Sequence, residues 1–419
     1  MRHAAPLRLR DGGFRMRGAG RVRVAAGIIS GVAIGAAAIG VIGLTLSAAL
    51  SVLFARRLVT PPGRAESGLR ILALGESTIV LSASVEIRAP GRFSLWFADQ
   101  TGHARIGAVI SQSSRWVARE LLSVQFGEPK PGDNARTSGW FYLNPADLGL
   151  AFSDVDIETE LGPAPAWLVP AAQPSSTWAI HVHGRGVQRP ETLRAITEFY
   201  DAGLTSLSVS YRNDTEAPDS ADRRYGLGST EYRDVDAAIS YARAAGAERI
   251  ILMGWSMGGA TVLQTLMRSA NRDMIVGLVL DSPVVAWGPI LQLHGAINRI
   301  PTPIQRAAQA VLGSEQAQLL VGTENPLDFP AMNFIDRADE LDRPILLMHS
   351  ADDAYVPVEP SRALAELRPD IVTYEEFDTA GHTRLWNYDS ERWLGTIRTW
   401  LSIQLGEGTA DKPAGVATK

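Results

Sequence analysis

Three regimes of hydrophobic patterning divide the chain. Residues 24–55 carry no charged side chain. That run exceeds the roughly 20 residues a helix needs to cross a bilayer, and it predicts a transmembrane helix. Between Ile71 and Leu150 the apolar stretches become short, as in TIVLSASVEI, RFSLWFA and ARIGAVIS. Val, Ile and aromatics separated by turn residues predict a small β-rich accessory region. Within it Ser114–Val124 reads as one helix, and Gly127–Ser138, with Pro129 and Pro131, as a polar loop.

The second half changes period repeatedly. Asp154–Leu161 and Ala166–Val169 read as a hairpin. Apolar strands are predicted at Thr177–His183, Thr205–Tyr211, Arg249–Met253, Met274–Leu280, Pro344–His349 and Ile371–Phe377. Helices are predicted at Arg189–Ala202, Glu231–Ala247, Gly259–Arg268 and Glu391–Leu405. Alternating helix with fully apolar strand predicts an α/β class fold, a mostly parallel sheet with helices on both faces. Val284–Asp342 interrupts the alternation with helical patterns. An insertion there, above the carboxyl edge of the sheet, predicts a helical lid. The division that follows is a basic tail 1–23, a span 24–55 and a linker 56–70 around Pro61-Pro62-Gly63. An accessory region 71–150 and a catalytic domain 151–405 with its lid at 284–342 come next, then a disordered tail 406–419.

Charge orients the span. Residues 1–23 hold seven Arg and one Asp, about +6, so a net charge of −5 leaves about −11 on the rest. Basic charge confined to a leading tail excludes a nucleic-acid binder. It predicts a cytoplasmic N-terminus and an extracytoplasmic catalytic domain, with Arg56-Arg57 as the opposing charge. A cleaved signal peptide is the alternative, but its apolar core is about half this length. Gly27, Gly31 and Gly35 have the small-xxx-small spacing that lets two helices approach, so a homodimer through the span is a further expectation. The chain has no cysteine, which excludes disulfides, thiolate metal sites and a Cys nucleophile.

The chemistry centres on RIILMGWSMGGA, residues 249–260. A strand enters a tight turn and a helix leaves it, with Ser256 at the tip. In such a nucleophile elbow the residues flanking the serine at two positions' distance approach closely, so Gly254 and Gly258 are needed. Ser256 requires a base, and the base requires an acid. His382, in DTAGHTRLW after the last strand, is placed to be the base. His349 is expected beneath the acid loop and His294 in the lid. Asp352 and Asp353, after strand Pro344–His349, and Asp281, in LVLDSP, are the candidate acids. Two N–H groups must hold a developing oxyanion, one from Met257 and one from Arg185 or an immediate neighbour in the glycine-rich HGRG. The Arg185 side chain is either solvated or an anchor for an anionic substrate. His181 and His183 have i, i+2 spacing, but nothing nearby completes a metal site, and no metal or cofactor is expected.

The elements HGRG at 183–186, GWSMGG at 254–259, HSADDAYVP at 349–357 and AGH at 380–382 together resemble the α/β-hydrolase superfamily. The likeness is to bacterial serine hydrolases of the prolyl-oligopeptidase-like and serine-aminopeptidase-like branches, and it covers Asp154 to Leu405. It implies an α/β-hydrolase fold and a Ser256–Asp353–His382 triad, selecting Asp353 through its D-x-x-V-P stretch. YRND at 211–214 and the helix pattern at 227–242 share the likeness, without a catalytic role assigned. The implied activity is cleavage of an ester or thioester of a small or lipid-like acyl substrate. A peptidase of the same fold is the alternative, and a catalytically silent fold used for binding a third.

Overall fold

The computed structural model describes residues 47–63 and 67–406. The basic tail, most of the uncharged run with Gly27, Gly31 and Gly35, and the last thirteen residues lie outside the described residues. Among the described residues no helix is long and apolar enough to cross a membrane. Helix α1 (47–59) carries the end of the uncharged run and continues through Arg56 and Arg57. Phe54, Ala55 and Val59 are buried in the core of the catalytic domain. The last residues assigned to the span therefore serve a protein core, and the linker begins at Thr60 rather than at Arg56.

Strands β1 (Leu69–Leu74), β2 (Thr78–Ser82), β3 (Phe93–Phe97), β4 (Gly102–Gln112), β5 (Trp116–Phe126) and β6 (Asn134–Ser138) close into an antiparallel barrel, in the order β1-β2-β5-β4-β3-β6. Ile71, Ile79, Leu81, Leu95, Ile106 and Val117 fill it. Its one helix, α2 (Val85–Arg88), starts where the Ser84 hydroxyl accepts from the Ile87 N–H. Two sequence expectations fail here. The segment expected to be a helix, Ser114–Val124, is β5, paired with β2 and β4. Its period-2 face is Val117, Arg119 and Leu121, and a buried arginine hides the alternation. The Arg119 guanidinium donates to the carbonyls of Ile87, Ala89, Gly91 and Gly107 inside the barrel. The expected loop Gly127–Ser138 ends in β6, NARTS. Backbone pairing with β1 and β3, with only Ala135 in the core, makes this polar stretch a strand.

The accessory unit is also shorter than expected. The barrel ends at Ser138, and Phe141, Tyr142, Leu148 and Phe152 pack on the catalytic domain.

The catalytic domain is one eight-stranded sheet. Its strands are β7 (Ser153–Thr159), β8 (Gly162–Val169), β9 (Thr177–Val182), β10 (Thr205–Val209), β11 (Arg249–Trp255), β12 (Ile275–Asp281), β13 (Ile345–Ser350) and β14 (Val372–Phe377). The order is β14-β13-β12-β11-β9-β10-β8-β7, parallel from β9 onward, with β7 and β8 an antiparallel hairpin at one edge. Helices α3 (Leu193–Asp201), α4 (Tyr232–Ala244) and α5 (Met257–Arg268) follow β9, β10 and β11. The lid insertion holds α6 (Trp287–Ile297), α7 (Thr302–Leu312) and α8 (Ala317–Leu320). Then come α9 (Glu359–Leu367), which the sequence reading omits, α10 (Leu385–Tyr388) and α11 (Ser390–Leu405). Side chains of β11 alternate between the two layers. Ile250 and Leu252 join the core with α4 and α5, while Ile251 and Met253 join the core with α3 and α11. With both faces covered, only the loops at the strand ends are free for chemistry.

Candidate active site

Ser256 stands at the tip between β11 and α5 with φ +52°, a left-handed conformation that a non-glycine residue adopts only when its surroundings enforce it. The enforcement is visible. The Ser256 N–H donates to the Asp281 carbonyl (3.0 Å), and the Ser256 carbonyl accepts from Gly259 and Val284. A methyl group on Gly254 would lie 2.4 Å from the Gly258 carbonyl oxygen, and one on Gly258 would lie 2.2 Å from that of Val182. Both glycines are therefore steric requirements of the turn, as the elbow pattern predicts.

The structure brings Ser256, His382 and Asp353 into one line. His382 Nε2 is 2.8 Å from Ser256 Oγ, and His382 Nδ1 is 2.7 Å from Asp353 Oδ2. A carboxylate only accepts, so Nδ1 carries a proton and Nε2 is left to accept from the serine hydroxyl. Asp353 is held by four donors. Oδ1 accepts from the Tyr355 and Val356 N–H groups, and Oδ2 faces His382 and the buried His349, 3.3 Å away. Burial alone would raise its pKa. The His382 charge and the histidine hydrogen bonds outweigh that and hold the carboxyl well below the usual carboxylate range. His349 lies beneath the acid loop as expected, with Ser361 on its other nitrogen (2.7 Å).

The other candidates are set apart. Asp352 is exposed and only its N–H is engaged, on Ser350 Oγ. The turn is braced by Asp353 itself, through the Tyr355 and Val356 N–H groups. Asp281 is fully buried, tied to the Ser282 hydroxyl and the Trp393 indole, and burial raises its pKa. His294 reaches from α6 to the Tyr355 carbonyl, and Tyr355 packs on the His382 ring, so the insertion touches the loop that carries Asp353. His181 and His183 do not share a face. His181 packs edge-on to Phe199 and meets Ser206, whereas His183 stacks on Tyr211 and pairs with Asp214 at 3.0 Å.

The HGRG loop lies against Ser256, since a methyl on Gly184 would stand 3.3 Å from Ser256 Cβ. Met257 opens α5, where no preceding turn supplies its N–H with an acceptor. The Arg185 side chain neither extends into solvent nor awaits an anion. It donates to the carbonyls of Arg57 (3.0 Å) and Thr60 (2.7 Å).

Several residues that shape the site were missed from sequence. The Tyr211 hydroxyl donates to the Gly184 carbonyl (2.7 Å), and Asp214 holds His183, so YRND braces the loop directly. Buried Glu191 accepts from the Gly184 N–H (2.8 Å) and lies 3.4 Å from the Thr383 hydroxyl, beside His382. Arg194, fully buried, links Glu191 to Thr383 and Asn387. Asn387 in turn donates to the carbonyls of Arg92 in the barrel (2.8 Å) and of Gly139 just beyond it (3.0 Å). A glutamate two residues beyond Gln188-Arg189 gives no local signal of such a bridge.

This fold and this elbow define an α/β hydrolase. The pattern of the Alpha/beta hydrolase family matches residues 179–395, just over half of the chain, and the chain belongs to that family. A domain of unknown function matches residues 70–138, the barrel. No curated protein matches the chain. Similar solved structures include an esterase from Pyrococcus furiosus, at 18% identity and TM-score 0.48, covering 62% of this chain and 94% of that one. An esterase from a Rhodococcus species has 18% identity and TM-score 0.43, covering 60% and 98%. A thermophilic esterase from Thermogutta terrifontis has 19% identity and TM-score 0.42, covering 60% and 99%.

Proposed function

We propose that the protein is a serine hydrolase that cleaves an ester or thioester through an acyl-enzyme on Ser256. The observation that carries this is the continuous relay Ser256–His382–Asp353, at 2.8 Å and 2.7 Å, on a strained elbow. Ser256 Oγ attacks the acyl carbonyl while His382 Nε2 takes its proton. The N–H groups of Met257 and Arg185 hold the negative oxygen. The tetrahedral intermediate collapses, His382 returns the proton to the leaving oxygen or sulfur, and water repeats the sequence on the acyl-enzyme. Asp353 keeps Nδ1 protonated and stabilises the histidine cation.

We further propose that the uncharged run that begins at Val24, up to where Phe54 enters the protein core, anchors the chain in a membrane with residues 1–23 inside and the catalytic domain outside the cytoplasm. The arginine bias before an uncharged run supports this orientation. A fluorophosphonate probe should label the wild type and leave Ser256→Ala unlabelled, and p-nitrophenyl esters should be turned over faster than aminoacyl-naphthylamides. Preference for the amides would make the protein a peptidase, and equal labelling of the mutant would sink the assignment. Protease added to intact spheroplasts should remove the catalytic domain, and a protected domain reverses the orientation.

A further inference from the structure

The segment between the uncharged run and the barrel is not a passive tether. Five of its residues contact the HGRG loop, the neighbouring Arg224-Tyr225 segment or α8. The Val59 carbonyl accepts from the Tyr225 N–H (2.8 Å), and Arg224 Nη1 donates to the Thr60 hydroxyl (2.7 Å). Arg56 Nε donates to the Leu320 carbonyl in α8 (3.0 Å). The Pro62 ring lies on Gly186, so close that a methyl there would stand 2.2 Å from Pro62 Cγ.

Arg185 is where this segment meets the catalytic loop. The last carbonyls of a helix have no partner within it, and the dipole makes that end negative. At the end of α1 those carbonyls, Arg57 and Thr60, are taken by the Arg185 guanidinium, which also lies over the Tyr225 ring at 5.7 Å. The rest of the loop is held from below. Gly184 is fixed through both its N–H and its carbonyl, by Glu191 and Tyr211. Gly186, at φ +69°, is fixed by Pro62 and by its amide's contact with Tyr225. Arg185 sits between these two fixed points, and its backbone N–H is the one the proposed oxyanion site needs.

We propose that residues 56–62 are a positioning strap for the oxyanion loop, with the Arg185 side chain as the pin that sets the direction of its own amide. Arg185 thus does two jobs, its N–H facing the substrate oxygen and its guanidinium acting on the geometry from the far side. The inference rests on the hydrolase reading above. An unpinned loop binds a flat ester carbonyl as before but loses the fit to the tetrahedral oxygen, so kcat falls and KM does not.

The test uses the full-length protein and p-nitrophenyl butyrate, with active sites counted by fluorophosphonate labelling. In Arg185→Ala, kcat per labelled site should fall about 10- to 100-fold with KM within about twofold, a partial loss of one oxyanion donor. Inhibition by a trifluoromethyl ketone, whose adduct places an oxyanion in the same position, should weaken by the same factor. Arg185→Lys, which keeps a cation for the α1 carbonyls, should recover part of it. Pro62→Gly, which touches only the strap, should move both quantities the same way by less. A merely structural role would instead lower the number of labelled sites at unchanged kcat per site. That result, or an unchanged ketone affinity in Arg185→Ala, overturns the strap. If Ser256→Ala hydrolyses normally, the underlying hydrolase reading fails instead.

Discussion

Among the described residues, two serine–histidine pairs share a separation of 2.8 Å, one inside the barrel and one at the elbow above the parallel sheet. In the barrel, Ser94 Oγ is 2.8 Å from His103 Nε2; in the catalytic domain, Ser256 Oγ is 2.8 Å from His382 Nε2. Everything around the two pairs differs. Ser94 lies in an ordinary strand and gives its proton to the Trp140 carbonyl. Its histidine is packed between Trp96 and Phe126, with no carboxylate bonded to its other ring nitrogen. Both residues are fully buried. Ser256 is lifted out of its strand by the elbow, and the His382 side chain keeps 19% of its surface exposed. A closed barrel spends its interior on its own side chains. An open parallel sheet sends its loops outward together, which is why only one pair can meet a substrate. A short Ser–His distance is thus no sign of a nucleophile without an acid behind it and space in front.

The largest expected effect separates the pairs outright. Ser256→Ala should lower kcat by about 10⁶, the scale seen when a triad loses its nucleophile. Ser94→Ala should leave kcat per folded molecule within about twofold and cost about 1–3 kcal/mol of stability, since the fully buried His103 loses its hydrogen-bond partner. Ester hydrolysis and thermal melting of the two variants check this. A large loss of turnover in stable Ser94→Ala would break the comparison.

The acid comes next. Asp353→Asn should lower kcat by about 10⁴, because the wrong tautomer of His382 is then stabilised. Asp352→Asn should stay within about threefold of wild type, as expected of an exposed side chain with no partner to lose. The reverse ranking, read from the same ester assay, would move the acid by one residue.

How much of this was legible beforehand varied with how local the cause is. The elbow could be read because its constraint is a two-residue steric one, written as Gly254 and Gly258. The parallel sheet could be read because buried strands such as β11 and β12 are apolar except at one end, Arg249 in the first and Asp281 in the second. Arg119 and β6 could not. Both owe their places to long-range partners, four carbonyls for the guanidinium and two neighbouring strands for NARTS. Glu191 and Arg185 were misjudged for the same reason. Each makes its defining contact with a segment distant in sequence, Thr383 for one and Thr60 for the other.

The smallest effect concerns acid stability, and here the barrel pair should be the more revealing. Burial, reinforced by the neighbouring Arg105 charge, lowers the His103 pKa to about 4, and burial lowers that of His181 to about 3. In the unfolded chain both protonate near 6.5. Between about pH 6.5 and 4 the unfolded chain therefore binds more protons than the folded protein, and stability rises with pH across that window. The contribution is complete above about 6.5 and is lost as pH falls through the folded values. Asp353 acts lower down. Its carboxyl is held below the usual range, so its contribution is complete above about 4 and fades only as pH falls below that. The melting temperature of the wild type should accordingly decline from pH 6.5 to 4.5, before the triad's acid is touched. His103→Gln keeps a hydrogen-bonding group opposite Ser94 but cannot take up a proton. Its melting temperature should fall less steeply over the same interval, with a residual slope from His181 and His294, whose pKa values burial also lowers. A slope as steep as the wild type's would show that His103 is not what couples the barrel to acid.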